Sequence, residues 1–299
     1  MIIPEKLNPG DKIGVVAPAR KILMEELKPS IEILESWGME VVLGQFLFEE
    51  DNQFSGTVQQ RVIDLQNMIN DESISAILCA RGGYGTVQII DKIDFSKLYN
   101  YPKWIIGYSD ITVLHSHLNQ LGLATLHATM PINFSTNTIE SLESFKHALQ
   151  AKEHYIKSPP HEFNRVGKVE AEIVGGNLSV LYSLLGSKSD VNTDGRILLL
   201  EDLDEYLYHI DRMVINMRRN GKFNNLRGMI IGRMSDMNDN NIPFGKIPEE
   251  IILEHIKDYD FPVCFGFPAG HLNDNRSIKL GVLSVLEINQ NRVNLSQFL

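Results

Sequence analysis

Short apolar runs of strand character alternate with stretches of helical period along most of this chain, and that alternation constrains the fold more than any other feature. "KIGVV" at 12–16 precedes "ILMEELKPSIEILESW" at 22–37, and "MEVVLG" from Met39 precedes "TVQQRVIDLQNMIND" from Thr57. "ISAILCA" from Ile74 leads into "RGGYGTVQIIDKI", which reads as a Gly-rich turn opening a helix. "WIIG" at 104–107 precedes Ile111, Leu114, Leu118 and Leu121, again at helical spacing. Strands that are apolar throughout are buried on both faces, and strand–helix alternation makes them parallel. The expectation is an α/β fold with a parallel sheet covered on both sides. Pro29 marks a break or a fresh start within the first helical stretch.

The rhythm fails at 151–168, a polar segment containing Pro159 and Pro160. It reads as a linker between a first domain, 1–150, and a second, 169–299. The second opens with the strand, Gly pair and helix of "VEAEIVGGNLSVLYSLLG". It continues through the strand "GRILLLED" and the helix "EYLYHIDRMVINMRRNG", then the strand-like runs "LRGMIIGRM", "FPVCFGFPAGH", "SIKLGV" and "LSVLEI".

A length of 299 residues suits two domains, and 43% hydrophobic with 22% charged residues is the composition of a globular protein. The net charge of −10 argues against a sequence-independent grip on nucleic acid or an anionic membrane. The first residues, "MIIPEKLNPGDKIGVVAPA", lack the basic and long apolar segments of a secretory signal, and no apolar run reaches a membrane span. Cys79 and Cys264 lie in apolar strand-like runs. They read as buried free thiols of a cytoplasmic protein, with a disulfide between them as the alternative.

Ligands of open α/β sheets bind beyond the carboxyl ends of strands. Four polar turns stand there: "ARGGYG" at 80–85, "GYSD" at 107–110, Glu201-Asp202, and "AGH" at 269–271. Ser109 sits at a strand-to-helix turn, so it reads both as an ordinary helix cap and as a nucleophile on an elbow. Its surroundings lack the second Gly of Gly-x-Ser-x-Gly. The glycines at 82, 83 and 85 let backbone N–H groups approach an anion, or simply make a tight turn. They match neither a dinucleotide fingerprint nor a Walker loop. His115 and His117 are two apart and cannot share a metal. His127, His209 and His271 remain as candidate bases. Glu201 ends a very apolar strand, where a carboxylate needs a partner; residue chemistry alone does not separate it from Asp202. No His/Cys cluster has zinc spacing.

Seven segments in order carry a family resemblance: "PGDKIGVVAPA", "FSGTVQQRVIDL", "AILCARGGYGT", "IIGYSDITVLH", "VGGNLSVL", "ILLLEDLDEYLYHIDRM" and "FGFPAGH". With them the chain resembles the serine LD-carboxypeptidases of murein recycling, a family that includes the microcin C self-immunity peptidases. The resemblance implies a flavodoxin-like N-terminal domain and a smaller, β-rich α/β C-terminal domain. It implies a triad of Ser109, Glu201 and His271, and an oxyanion hole from the amides of Gly83, or Gly82, and Asp110. Arg81, Gly82 and Tyr108 are expected to line the substrate site. It further implies a murein stem-peptide substrate, a homodimer, and neither metal nor organic cofactor. Two positions depart from the family's usual pattern. His127-Ala128-Thr129 stands where His-Gly-Pro is frequent, and Ala19-Arg20 stands where a Ser often follows the N-terminal Ala-Pro. An immunity-type peptidase acting on an acyl-sulfamoyl adenylate, and a non-catalytic anion- or peptide-binding protein, are the alternatives.

Overall fold

The computed structural model describes residues 1–298. In chain order the first half forms β1 (Lys12–Val16), α1 (Met24–Ser36), β2 (Glu40–Leu43), α2 (Val58–Asn70), β3 (Ile74–Cys79), β4 (Trp104–Gly107), α3 (Thr112–Gln120), β5 (Thr125–His127) and α4 (Ile139–Gln150). The rest forms β6 (Glu153–Ser158), β7 (Gly167–Asn177), α5 (Leu178–Leu184), β8 (Ile197–Leu203), α6 (Leu207–Arg219), β9 (Gly228–Ser235), α7 (Pro248–His255), β10 (Val263–Cys264), β11 (Ile278–Leu280), β12 (Leu283–Ile288) and β13 (Val293–Phe298).

Five parallel strands of the first sheet run in the order β2-β1-β3-β4-β5, the flavodoxin-like arrangement, with its switch point between β1 and β3. The near-continuous apolar strands divide by the strand period of two. Ile13, Val15, Trp104 and Ile106 face one core, with Leu27 and Leu34 of α1. Val16, Ile77, Cys79 and Ile105 face the other, with Leu65 of α2 and Leu114 and Leu118 of α3. The second sheet has the order β10-β9-β8-β7-β12-β13-β6, parallel from β10 to β7 and antiparallel from β7 to β6. One of its faces packs on α5, α6 and α7 through Leu181, Met213, Met217 and Ile252. The α/β class and its flavodoxin-like first sheet are as expected.

Four local expectations are corrected. The segment read as a linker contains β6, whose strict exposed–buried alternation fits an edge strand paired to β13. No α-helix follows the Gly-rich run. Thr86–Gln88, Ile90–Lys92 and Ser96–Tyr99 are short 3-10 turns, in a stretch dense in β-branched residues and in turn-forming Asp and Ser. Pro29 neither breaks nor starts α1, which runs through it. Cys79 and Cys264 are buried free thiols in different sheets, so the disulfide alternative is not realised. Burial pushes the Cys264 thiol up to about 12.

The strand β11 lies in sequence within the second half but pairs antiparallel with β5, at the edge of the first sheet. The loop 265–277 is therefore held by the second sheet at one end and by the first at the other. That crossing carries His271 to the first sheet's carboxyl edge. Among the described residues, no helix is long and apolar enough to cross a membrane.

Candidate active site

Ser109 leaves β4 after Gly107 and Tyr108 and begins a 3-10 turn, Ser109–Ile111, that runs into α3. Its φ is +62°, a left-handed conformation uncommon for a residue with a Cβ. Its hydroxyl caps neither the turn nor α3. Instead Ser109 Oγ lies 3.0 Å from His271 Nε2. His271 Nδ1 lies 2.7 Å from Glu201 Oε2. With Nδ1 protonated, the imidazole donates to the carboxylate and accepts from the serine hydroxyl.

Glu201 is fully buried, at 0% exposure. The β-bulge opposite it lies in β9: Leu200 pairs with Ile231 and Asp202 with Met234, so Gly232 and Arg233 together oppose Glu201. Alternation along β8 puts Glu201 on the face of Ile197 and Leu199, the face that packs on Ala269 and the His271 loop. Gly270 makes the approach feasible, since a Cβ at that position, with φ +105°, would fall 2.5 Å from Glu201 Oε2. The neighbouring loop is pinned by Gly270 N–H donating to Asn275 Oδ1 at 3.0 Å and by Ser235 Oγ donating to the His271 carbonyl at 2.6 Å.

Asp202, the other candidate acid, faces away. Its carboxylate accepts from Asn177 Nδ2 at 2.9 Å, from the Ser179 N–H at 2.9 Å and from its neighbour Leu203 N–H at 2.9 Å. It thus caps the start of α5. Burial, reinforced by the charge of Glu201, pushes its carboxyl up to about 7. Burial pulls the His271 imidazole down, but the charge and hydrogen bond of Glu201, helped by the charge of Asp202, outweigh it, so its pKa is raised.

A cleft of about 240 Å³ opens at Ser109, lined by Arg20, Arg81, Gly82, Gly83, Tyr108 and His271, with Met130, Ile132, Asn133 and Leu203 closing it. The Gly83 and Asp110 amides donate to no acceptor among the described residues. Gly82 packs so closely that a Cβ there would lie 3.2 Å from Ser109 Cβ. The Asp110 side chain is buried beneath the Gly-rich loop and accepts the Thr86 N–H at 2.9 Å. Burial raises its pKa against that hydrogen bond and the charges of Arg61 and Arg20. Arg61, also buried, donates to the carbonyls of Pro18 at 2.8 Å and Gly85 at 3.0 Å, tying the loop after β1 to the loop after β3. The Tyr108 ring stands 4.9 Å from the His271 ring, edge-on, and its hydroxyl donates to Asn133 Oδ1 at 3.1 Å.

Ser109, Glu201, His271, Arg81, Gly82, Gly83, Tyr108 and Asp110 therefore lie in one place, at the carboxyl ends of β3, β4 and β8 and the loop before β11. The other candidate bases are elsewhere. His209 of α6 pairs with Glu205 just before that helix, and His127 is buried behind Tyr108, where burial brings its pKa down to about 4. His115 sits against the Gly107 carbonyl at 2.9 Å. Arg61 was not legible as a site residue. Its signal, an Arg within an amphipathic helix, is the same as that of a solvated face. A larger groove, about 720 Å³, runs between α1 and α4 and includes none of these residues.

A hydroxyl held by an imidazole, itself held by a carboxylate, beside unengaged loop amides, is an arrangement capable of acyl transfer. Comparison with known proteins agrees in kind. The LD-carboxypeptidase N-terminal domain family matches residues 13–128, and the LD-carboxypeptidase C-terminal domain family matches residues 170–286. A Bacillus subtilis protein described as a probable murein peptide carboxypeptidase is 33% identical over 293 residues, covering 95% of this chain and 91% of its own. The crystal structure of muramoyltetrapeptide carboxypeptidase from Oxalobacter formigenes superposes with a TM-score of 0.88 at 23% identity, over 96% of this chain and 98% of that one. The microcin C7 self-immunity protein MccF, solved in complex with aspartyl sulfamoyl adenosine, gives 0.88 at 22% identity, over 99% and 98%. With both of its domain families matched in order and a third of its residues shared with a full-length relative, the chain belongs to the serine-type LD-carboxypeptidases.

Proposed function

We propose that the protein hydrolyses the L,D bond that holds the terminal D-alanine of a murein tetrapeptide, with Ser109, His271 and Glu201 as its catalytic triad. The observation that carries this reading is the unbroken hydrogen-bond run from Ser109 Oγ through His271 to the buried Glu201. Ser109 Oγ attacks the carbonyl carbon of the L-configured residue as its proton passes to His271 Nε2. Glu201 keeps Nδ1 protonated and stabilises the imidazolium. The amides of Gly83 and Asp110 receive the oxyanion. The imidazolium then protonates the leaving nitrogen, the C–N bond breaks, and D-alanine departs. Water, deprotonated by His271, cleaves the acyl ester and returns Ser109. Arg81, Gly82 and Tyr108 are assigned to the substrate wall.

The same reading assigns 1–150 and 169–299 as the two domains, with β6 joined to the second as its edge strand, a homodimer as the working form, and the cytoplasm as the compartment. Mass spectrometry of murein tri-, tetra- and pentapeptides after incubation tests the reaction. Loss of one D-alanine from the tetrapeptide alone is expected. Preferential turnover of an acyl-sulfamoyl adenylate would overturn the substrate assignment and leave the triad.

A further inference from the structure

Two cations line the Ser109 cleft, and they differ in what already holds them. Arg81 Nη1 donates to the Lys21 carbonyl at 3.2 Å and lies 3.9 Å from the Glu26 carboxylate. Arg20 forms no ion pair and no side-chain hydrogen bond among the described residues, and it is exposed. Its backbone is nevertheless fixed. The Arg20 N–H donates to the Gly82 carbonyl at 3.4 Å, and its flanks are tied by Ser55 N–H to Ala19 O and Lys21 N–H to Gln53 O, each at 3.1 Å. The side chain lies flat across Gly83: a Cβ on that glycine would fall 2.5 Å from Arg20 Cδ and 2.7 Å from Nε. An uncommitted guanidinium is thus laid along the loop whose Gly83 amide faces the same cleft as Ser109.

We infer that Arg20 is the specificity-determining residue that binds the free C-terminal carboxylate of the substrate and so makes this site an exopeptidase. The inference rests on the serine-peptidase reading above and adds to it the group that sets the register. When a scissile carbonyl is seated at Ser109, the carboxylate of a single residue beyond it is three bonds from the reacting carbon. It falls next to the oxyanion loop, where the Arg20 stem already lies. A planar guanidinium pairs bidentately with a carboxylate, and the pair strengthens as substrate displaces water from the cleft. Longer substrates would place an uncharged peptide group against Arg20 and leave it unpaired.

The test uses the full chain, the tetrapeptide with its free carboxylate, and the same peptide as its C-terminal amide. Two readouts are taken: D-alanine or D-alaninamide release, and protection of Ser109 from a fluorophosphonate label. Arg20→Gln is expected to lower kcat/KM on the acid about 30-fold and to change the amide by less than about threefold. Arg20→Lys is expected to fall between, keeping the charge and losing the fork. Only the acid should protect Ser109 in the parent. Equal protection by acid and amide, or equal loss of both in Arg20→Gln, overturns the assignment while leaving the reaction intact. Protection by the acid alone with no release of D-alanine upholds Arg20 and overturns the reaction.

Discussion

Glu201 and Asp202 are adjacent acids of nearly the same chemistry, and their separate roles come from the strand period of two. β8 keeps its alternation to the end, so Glu201 follows Ile197 and Leu199 to the face that meets His271, while Asp202 follows Leu198 and Leu200 to the face where it caps α5. Glu201→Gln is expected to lower kcat by about 10⁴, since an amide cannot stabilise the imidazolium. Asp202→Asn is expected to keep activity within about tenfold and to lose stability instead, because an amide cannot satisfy the Asn177 and Ser179 donors as the carboxylate does. Steady-state rates and thermal melts of the two variants check the ranking. The pH profile adds a signed test. His271 must be neutral to accept the serine proton, and Glu201 holds its pKa above the ordinary 6.5. Activity is therefore lost as pH falls through that raised value, and in Glu201→Gln the acid limb should move to lower pH even as the rate drops. A limb that stays in place would mean the limb belongs to another group. Ser109→Ala should remove on the order of 10⁴ to 10⁶ in rate. Ser109→Gly should be equally inactive yet more stable than Ser109→Ala by roughly 0.5–1 kcal/mol, because φ +62° strains any residue with a Cβ.

At the scale of elements, the loop between β10 and β11 matters most. Gly270→Ala would push a methyl group against Glu201 Oε2 in a left-handed backbone. The expected cost is about 1–2 kcal/mol of stability and about 10²-fold in kcat, read from melts and turnover. An active Gly270→Ala would show that Glu201 tolerates displacement. Much of this level was legible in the sequence. Four of the five parallel strands, β1 to β4, follow from apolar runs, and α2 from its period, to which the structure adds a Thr57–Gln60 capping box. What was not legible lacks a local signal. Nothing in "SIKL" says that β11 joins the other sheet, because strand propensity carries no partner. β6 hid behind a polar composition that an edge strand shares with a linker. Ser109 and His271 stand 162 positions apart, so their contact is a property of topology. Family resemblance supplied the pairing, and residue chemistry had left Glu201 and Asp202 unresolved.

The molecule as a whole divides its chemistry between two sheets, so the seam between them must be as stiff as either core. Several contacts cross it. β11 extends the first sheet, and the Met1 amine pairs with Glu172 of β7 at 3.0 Å. The Asn177 N–H donates to Thr112 Oγ1 at 3.0 Å, and Ser116 Oγ donates to the Ser189 carbonyl at 2.6 Å. Ser141 Oγ of α4 donates to the Asn275 carbonyl at 2.8 Å, within the loop that carries His271. Removing either half would expose the β5 edge or strand β11, a loss no local rearrangement replaces. The two halves are therefore expected to unfold together. Trp37 and Trp104, the chain's two tryptophans, both lie in the first half, so their fluorescence reports that half alone, whereas far-UV circular dichroism reports both. In a urea titration the two signals should coincide, and loss of Ser109 labelling should track them. Two separated transitions, with labelling lost at the earlier one, would show instead that the seam opens before either core, and that the site exists only while the seam is closed.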